Sequence, residues 1–226
     1  MVKEFIKSLS NSDVEGELIK TIFISLIVSF ITIVILYFLI LRNIQNFIPK
    51  YGFFLFFTIL TYAIILPSTK HVKAYKEFPC MTGMMIGMTI GMIAGFLPGF
   101  YIGATNGMFY GSVIGMSIGI IFGIWNGKCC GIMGMMEGIM AGFMGGLMGA
   151  MTAFMLLNDN LQYAGVIVFV ISSVIICGLN YMIYKESHQL EKVSNNGSFF
   201  IVFLSFLMTV ITILFIVFGP RGGLLQ

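Results

Sequence analysis

The sequence predicts an all-α polytopic membrane protein with about seven transmembrane helices around a core of repeated Gly-x-x-x-Gly motifs, a glycine zipper. Of its 226 residues, 58% are hydrophobic and 9% are charged, a composition unlike that of a soluble domain. Several apolar runs reach the ~20 residues that a helix needs to cross the hydrocarbon core. Few residues remain for a globular catalytic domain, and we expect the protein not to be an enzyme.

Seven apolar runs follow one another along the chain. The predicted spans are residues 18–41, 51–66, 80–97, 101–125, 129–156, 161–184 and 199–218. A basic loop at 67–79 follows the second span, and Pro98-Gly99 is the predicted turn between the third and fourth. The resulting parts are an N-terminal arm (1–17), a two-helix transmembrane unit (18–66), a Gly/Met-rich three-helix transmembrane core (80–156), a second two-helix transmembrane unit (161–218) and a short tail (219–226).

The distribution of basic residues predicts the orientation in the cell membrane. With seven spans, one face receives nine of the twelve Lys and Arg residues and the other face receives three. Since an excess of Lys and Arg marks the cytoplasmic side, we expect the N-terminus inside and the C-terminus outside.

Glycine recurs at every fourth position from Gly83 to Gly131 and, after a shift in register, from Gly134 to Gly146. Small residues four apart form a stripe on one helix face and let two helix backbones approach closely in a membrane. The predicted packing glycines are Gly83, Gly87, Gly91, Gly95, Gly103, Gly107, Gly111, Gly115, Gly119, Gly134, Gly138, Gly142 and Gly146.

Methionine occupies one side of the fifth predicted span. Fifteen of the chain's 18 methionines lie between residues 80 and 156. At about 100° per residue, the glycines of the fifth span project over about 0–120° and seven of its methionines over about 200–320°. Four methionines of the third span cluster within about 60°. The two arcs predict a thioether-lined path between these spans, with candidate ligands Met81, Met85, Met88, Met92, Met133, Met136, Met140 and Met144.

Three further residues project into the methionine arc of the fifth span. Cys129 and Cys130 are two further candidate metal ligands; they open the span beside Lys128, where the helix start and the basic neighbour both favour thiolate. Glu137 is the one carboxylate within a predicted span. Intramembrane acids are costly and usually face an interior path, so Glu137 is the candidate for charge balance or proton coupling. His71 and His188 are expected to be solvated loop residues.

Thioethers are soft ligands for soft cations. The leading hypothesis is therefore an integral membrane protein that transports or senses a soft metal ion such as Cu(I) or Ag(I). One alternative is a structural or assembly protein that packs partner helices, or further copies of itself, through glycine ridges. Another is a secondary transporter or channel for a different small solute, with Thr105, Asn106 and Glu137 as polar contacts. The basic residues are scattered over loops, so nucleic acid is not an expected partner.

Met84-x-x-x-Met88, followed by Gly103-x-x-x-Gly107 in the next predicted span, is similar to the core motif of the Ctr copper importers over about 25 residues. The resemblance implies copper as cargo. That family has three spans and a Met-rich extracellular tail, whereas seven spans and no such tail are predicted here.

Overall fold

The computed structural model describes residues 14–39, 47–73, 79–128, 131–187 and 198–219, and the described part of the chain is helical without strands. Its seven helices, in chain order, are α1 (Val14–Leu39), α2 (Phe47–Lys73), α3 (Cys80–Asn106), α4 (Met108–Gly127), α5 (Gly131–Met155), α6 (Leu161–Ser187) and α7 (Ser198–Phe218). One helix corresponds to each predicted span, with different ends for several of them, and the described residues confirm the all-helical fold class.

Five helices, α2 to α6, are long and apolar enough over their described residues to cross a membrane. Within α1 and α7, the described apolar segments are shorter, at Lys20–Leu36 and Val202–Val217. The chain is therefore a multi-pass membrane protein whose environment is the lipid bilayer.

Glycine-bearing faces of α3, α4 and α5 meet at the centre of these three helices. Consecutive helices run antiparallel, so α3 and α5 are parallel. Each layer takes one small residue from each helix: Gly91, for example, lies against Gly123 and Gly138. The layers are Gly87 with Gly127 and Gly134; Gly91 with Gly123 and Gly138; Gly95 with Gly119 and Gly142; Gly99 with Gly115 and Gly146; and Gly103 with Gly111 and Ala150.

The layers bring backbone directly against backbone. A Cβ atom on Gly95 would lie 2.8 Å from the carbonyl oxygen of Gly142 and 2.9 Å from the amide nitrogen of Gly146. A second row on α5 does the same, because Gly145 and Gly149 pack on the backbone of Met92 and Phe96 of α3. These helices touch where no side chain intervenes, so no lumen separates them at these layers.

The predicted turn at Pro98-Gly99 is wrong, because α3 continues through Pro98 to Asn106. Proline removes one helical hydrogen bond and kinks a helix, and membrane helices tolerate it where neighbours compensate. The chain reverses instead at Gly107, whose φ of 105° lies in the region that favours glycine. Gly107, predicted to pack within a span, is thus the connection between two helices.

The basic loop predicted from residue 67 begins later, since α2 runs through Pro67 to Lys73. His71, expected to be solvated, lies in the last turn of α2 and is buried. The helix extends because its last turns pack against neighbours: the Asn180 side-chain amide of α6 donates to the Ser68 hydroxyl at 3.1 Å.

Lysines gather at one end of the helices, which we call the basic end: Lys70 and Lys73 in the last turn of α2, Lys128 after α4, and Lys185 in the last turn of α6. Two contacts join elements there. The Lys73 ammonium lies 3.5 Å from the centroid of the Trp125 ring, and the Thr82 hydroxyl donates to the Glu186 carboxylate at 2.6 Å.

Outside the glycine layers, α3 presents apolar side chains to α2 and α6, and α1 packs on α2 and α7. Hydroxyl groups hold α1 to α7. The Ser205 hydroxyl of α7 lies 2.9 Å from that of Ser29 and 3.3 Å from that of Ser25, and all three side chains are buried. Side-chain hydrogen bonds between membrane helices stabilise such pairs modestly.

Candidate functional site

The largest concentration of chemically similar side chains is a surface of α3 and α5 that we call the methionine face. All its methionines are exposed, at between 38% and 79% of their full area. Its members are Met81, Met85, Met88 and Met92 of α3 and Met133, Met136, Met140, Met144, Met148, Met151 and Met155 of α5.

The predicted path between the third and fifth spans is wrong as an internal feature of one chain. The side of α5 that faces α3 and α4 carries glycine and alanine, and these are buried. The methionines project about 180° away from that side, so they point out of the three-helix unit. Close glycine packing and an interior methionine ladder cannot both occupy this interface.

The structure nevertheless brings the two methionine arcs together. Gly145 of α5 lies against Met92 of α3, and Met148 projects only about 60° from Gly145 on the side away from α4. The arc of α3 borders the same seam from the other side. The methionines of both helices therefore border one outward-facing seam along α3 and α5, which we call the groove, and the two helices are its rims.

Glu137 lies on the α5 rim of this groove and is partly exposed. Since Gly134 faces Gly87 and Gly138 faces Gly91, Glu137 is level with the turn of α3 that contains Met88. Glu137 therefore lies in the half of the helix bundle that is nearer the basic end. A carboxylate and soft thioethers thus share one stretch of the groove.

The cysteines divide into two groups. Cys129 and Cys130 lie outside the described residues. Cys80, at the first position of α3, and Cys177, on α6, are exposed and are not in disulfides. Among the described residues, no three His, Cys, Asp or Glu side chains come together to hold a metal ion.

Two polar residues considered for a solute path donate hydrogen bonds to backbone carbonyl oxygens. Thr105 donates its hydroxyl to the carbonyl oxygens of Tyr101 and Ile102 in its own helix, at 3.3 and 3.1 Å. The Asn106 side-chain amide donates to the carbonyl oxygen of Phe215 and so ties the end of α3 to α7. Neither residue shares a site with Glu137.

Two features went unnoticed in the sequence. One is the joint groove, which depends on which glycines face each other. The other is the hydroxyl seam of α1 and α7, which has a visible signal: Thr21, Ser25, Ser29 and Thr32 recur at helical spacing on one face of α1 and are buried.

Comparison with known protein families, with curated proteins and with solved structures finds no match. The resemblance to the Ctr core motif also loses its geometry here. Met84, Met88 and Gly103 all lie on α3, and Gly107 follows that helix, whereas the motif requires its two halves on consecutive helices.

Proposed function

We propose that the protein is a membrane transporter or sensor, rather than an enzyme, for a soft monovalent metal ion such as Cu(I) or Ag(I). The observation that supports this most is the thioether-lined groove of α3 and α5 with Glu137 on its rim. The metal ion is the cargo, and the groove is the route along which it binds.

The spacing of the thioethers suits transfer of such an ion. Met136, Met140, Met144 and Met148 are four residues apart, which corresponds to steps of about 6 Å along a helix. Cu(I) and Ag(I) accept soft sulfur ligands, and conduction requires sites weak enough for the ion to leave again. Glu137 supplies a negative charge, or a proton-accepting group, beside the route.

A groove open to acyl chains is only half of a path, and we propose that a second copy of the chain provides the other wall. Two copies related by an axis normal to the membrane place equivalent methionines at equal depth. They also withdraw Glu137 from lipid, where an ionised side chain costs about 3 kcal/mol or more.

The scaffold for this groove is, in our proposal, a glycine zipper of α3, α4 and α5 within a seven-span protein whose N-terminus is cytoplasmic. Direct backbone contact leaves little freedom for one helix to slide on another. It therefore holds both rims of the groove in a fixed register, with Glu137 level with the turn of α3 that contains Met88.

Replacement of Met136, Met140 and Met144 by Leu tests the thioether route, because leucine keeps the apolar volume and removes the sulfur. We expect uptake of Ag(I) into proteoliposomes to fall at least about tenfold, since several consecutive ligands are lost. The matched control is Met108→Leu with Met116→Leu on α4, outside the groove, which should leave uptake unchanged. Equal uptake by both variants and the native protein refutes the route.

Replacement of Glu137 by Gln tests its charge. If the carboxylate exchanges protons during transport, the native rate changes with pH and the rate of the Glu137→Gln variant does not. If instead it only balances the cation, the variant transports more slowly at every pH. A native rate that does not vary with pH, together with an unchanged rate in the variant, excludes both roles.

Assembly without transport is the second candidate function, and the exposure of the methionine face favours it. Methionine is adaptable and common on surfaces that bind varied partners. The glycine ridges of the described core are already packed inside the chain, so the surface that we propose for a partner helix is the methionine face. In that case the methionine-to-leucine variants keep their oligomeric state and the native protein shows no metal uptake.

A further inference from the structure

The basic end contains a second arrangement that neither the glycine core nor the methionine face explains. Lys73 ends α2, and its ammonium group lies 3.5 Å from the centroid of the Trp125 ring in the last turn of α4. The contact joins the ends of two helices that are far apart in sequence. It also fixes the position of an exposed lysine that would otherwise sample many rotamers.

Lys128 brings a second positive charge to the same place. It directly follows α4, its side chain is exposed, and it acts on Lys73 as a like charge. Lys70, one turn before Lys73 in α2, adds a third, partly buried lysine. Like charges held side by side repel one another, and an anion placed between them relieves that repulsion.

Part of this arrangement serves the helices themselves. Cations at the C-terminal ends of α2 and α4 interact favourably with the negative ends of the helix dipoles. That interaction explains why lysines follow each helix separately. It does not explain why Lys73 of α2 lies over the ring of Trp125 of α4, with Lys128 near enough to act on it as a like charge.

We propose that Lys73, Lys128 and Trp125 form a binding site for the phosphate headgroup of an anionic phospholipid. Tryptophan is characteristic of the membrane–water interface, so its ring lies at the depth where lipid phosphates lie. Basic pockets between helices on the cytoplasmic side bind such headgroups. Lys70 adds to the positive field around the site.

The lipid, rather than a free anion, is the ligand that fits the position of the site. Both lysines are exposed at the ends of apolar helices, and a lysine at such a position generally lays its stem on apolar surface and keeps its ammonium group near water. A phospholipid satisfies both parts at once, with its phosphate between the lysines and its chains on the apolar helix surface. Inorganic phosphate or glycerol phosphate can bind the lysines but has no chains to cover the apolar helix surface.

The test is the thermal unfolding of the purified full-length protein in neutral detergent, titrated with phosphatidylglycerol or phosphatidylcholine. We expect phosphatidylglycerol to raise the unfolding temperature of the native protein and phosphatidylcholine to have no comparable effect. The increase should be lost in the double variant Lys73→Gln with Lys128→Gln. It should persist in Lys185→Gln, which removes an exposed lysine of α6 at the same end.

Single variants separate lipid binding from a structural role of the lysine–tryptophan contact. Lys128→Gln leaves that contact in place and should reduce the response to phosphatidylglycerol, while the unfolding temperature in detergent alone changes only by the small helix-dipole contribution of one exposed lysine. Lys73→Arg keeps both the charge and the stacking on Trp125 and should retain the response. If Lys128→Gln and the double variant respond like the native protein, the site does not exist.

A control titration with a water-soluble phosphate compound distinguishes a lipid headgroup from a free phosphate group as the ligand. Glycerol phosphate at equal concentration should not change the unfolding temperature. If it stabilises the native protein as much as the phospholipid does, the site binds free phosphate groups and the lipid assignment is wrong.

Discussion

Gly119 sits where all three core helices meet, and its missing side chain is a requirement of the fold. A Cβ atom there would lie 2.8 Å from the carbonyl oxygen of Gly142 and 2.8 Å from the Cα of Gly95. Both are backbone atoms, so the helices themselves must move apart. Overpacking of this kind typically costs about 1–3 kcal/mol.

We therefore expect Gly119→Ala to lower the thermal unfolding temperature in detergent, although alanine favours a helix over glycine by ~1 kcal/mol. Gly178→Ala on α6 is the matched control, because a Cβ atom there meets nothing within 4 Å. It should be neutral or stabilising. If both variants have the same unfolding temperature, the helices are not in direct backbone contact at Gly119.

For the individual helices, the sequence predicts that each helix exists more accurately than it predicts the residues at which the helix begins and ends. Hydropathy and length identified every helix, since each span is a continuous apolar run. The turn between α3 and α4 was misplaced because Pro98 is a strong local signal for a break. The packing of α3 against α4 and α5 keeps the helix continuous there, and this long-range effect leaves no mark around residue 98.

The methionine face of the candidate site also shows that local sequence patterns do not reveal long-range packing. Helical periodicity correctly separates the methionines from the glycines of α5, because both patterns are local. Periodicity does not state which side faces the protein interior. That choice follows from the glycine layers, in which Gly138 and Gly142 contact two helices at once. The pairing of layers between helices is information that a single sequence does not carry.

The hydroxyl seam determines how α1 is held to the bundle. Ser205→Ala removes the partner of both Ser25 and Ser29, and membrane side-chain hydrogen bonds contribute about 0.6 kcal/mol on average and at most about 1.7 kcal/mol. We expect a drop in the free energy of unfolding of this size. Ser117→Ala on α4 is the control, since its exposed hydroxyl bonds only the carbonyl of Val113 in its own helix. A double-mutant cycle with Ser29→Ala measures the coupling between Ser29 and Ser205 directly. The double variant should lose less unfolding free energy than the two single variants lose in sum.

For the whole molecule, the number of membrane crossings depends on α1 and α7. Helix α1 has 26 residues and α7 has 21, which correspond to about 39 and 31 Å at 1.5 Å per residue. Both lengths reach across a hydrocarbon core of about 30 Å. We propose that α1 and α7 cross together with α2 to α6, which puts the two ends of the chain on opposite sides of the membrane. The excess of basic residues on one face then favours a cytoplasmic N-terminus.

Epitope tags at the two termini, probed in intact and permeabilised cells, test this topology. We expect the C-terminal tag to be accessible in intact cells and the N-terminal tag only after permeabilisation. If α1 does not cross, the N-terminal tag becomes accessible from outside while the basic end stays inside. If α7 does not cross, the C-terminal tag is hidden in intact cells. Each outcome thus identifies which of the two helices does not cross the membrane. The proposed lipid site requires in addition that Lys73 and Lys128 lie on the cytoplasmic face.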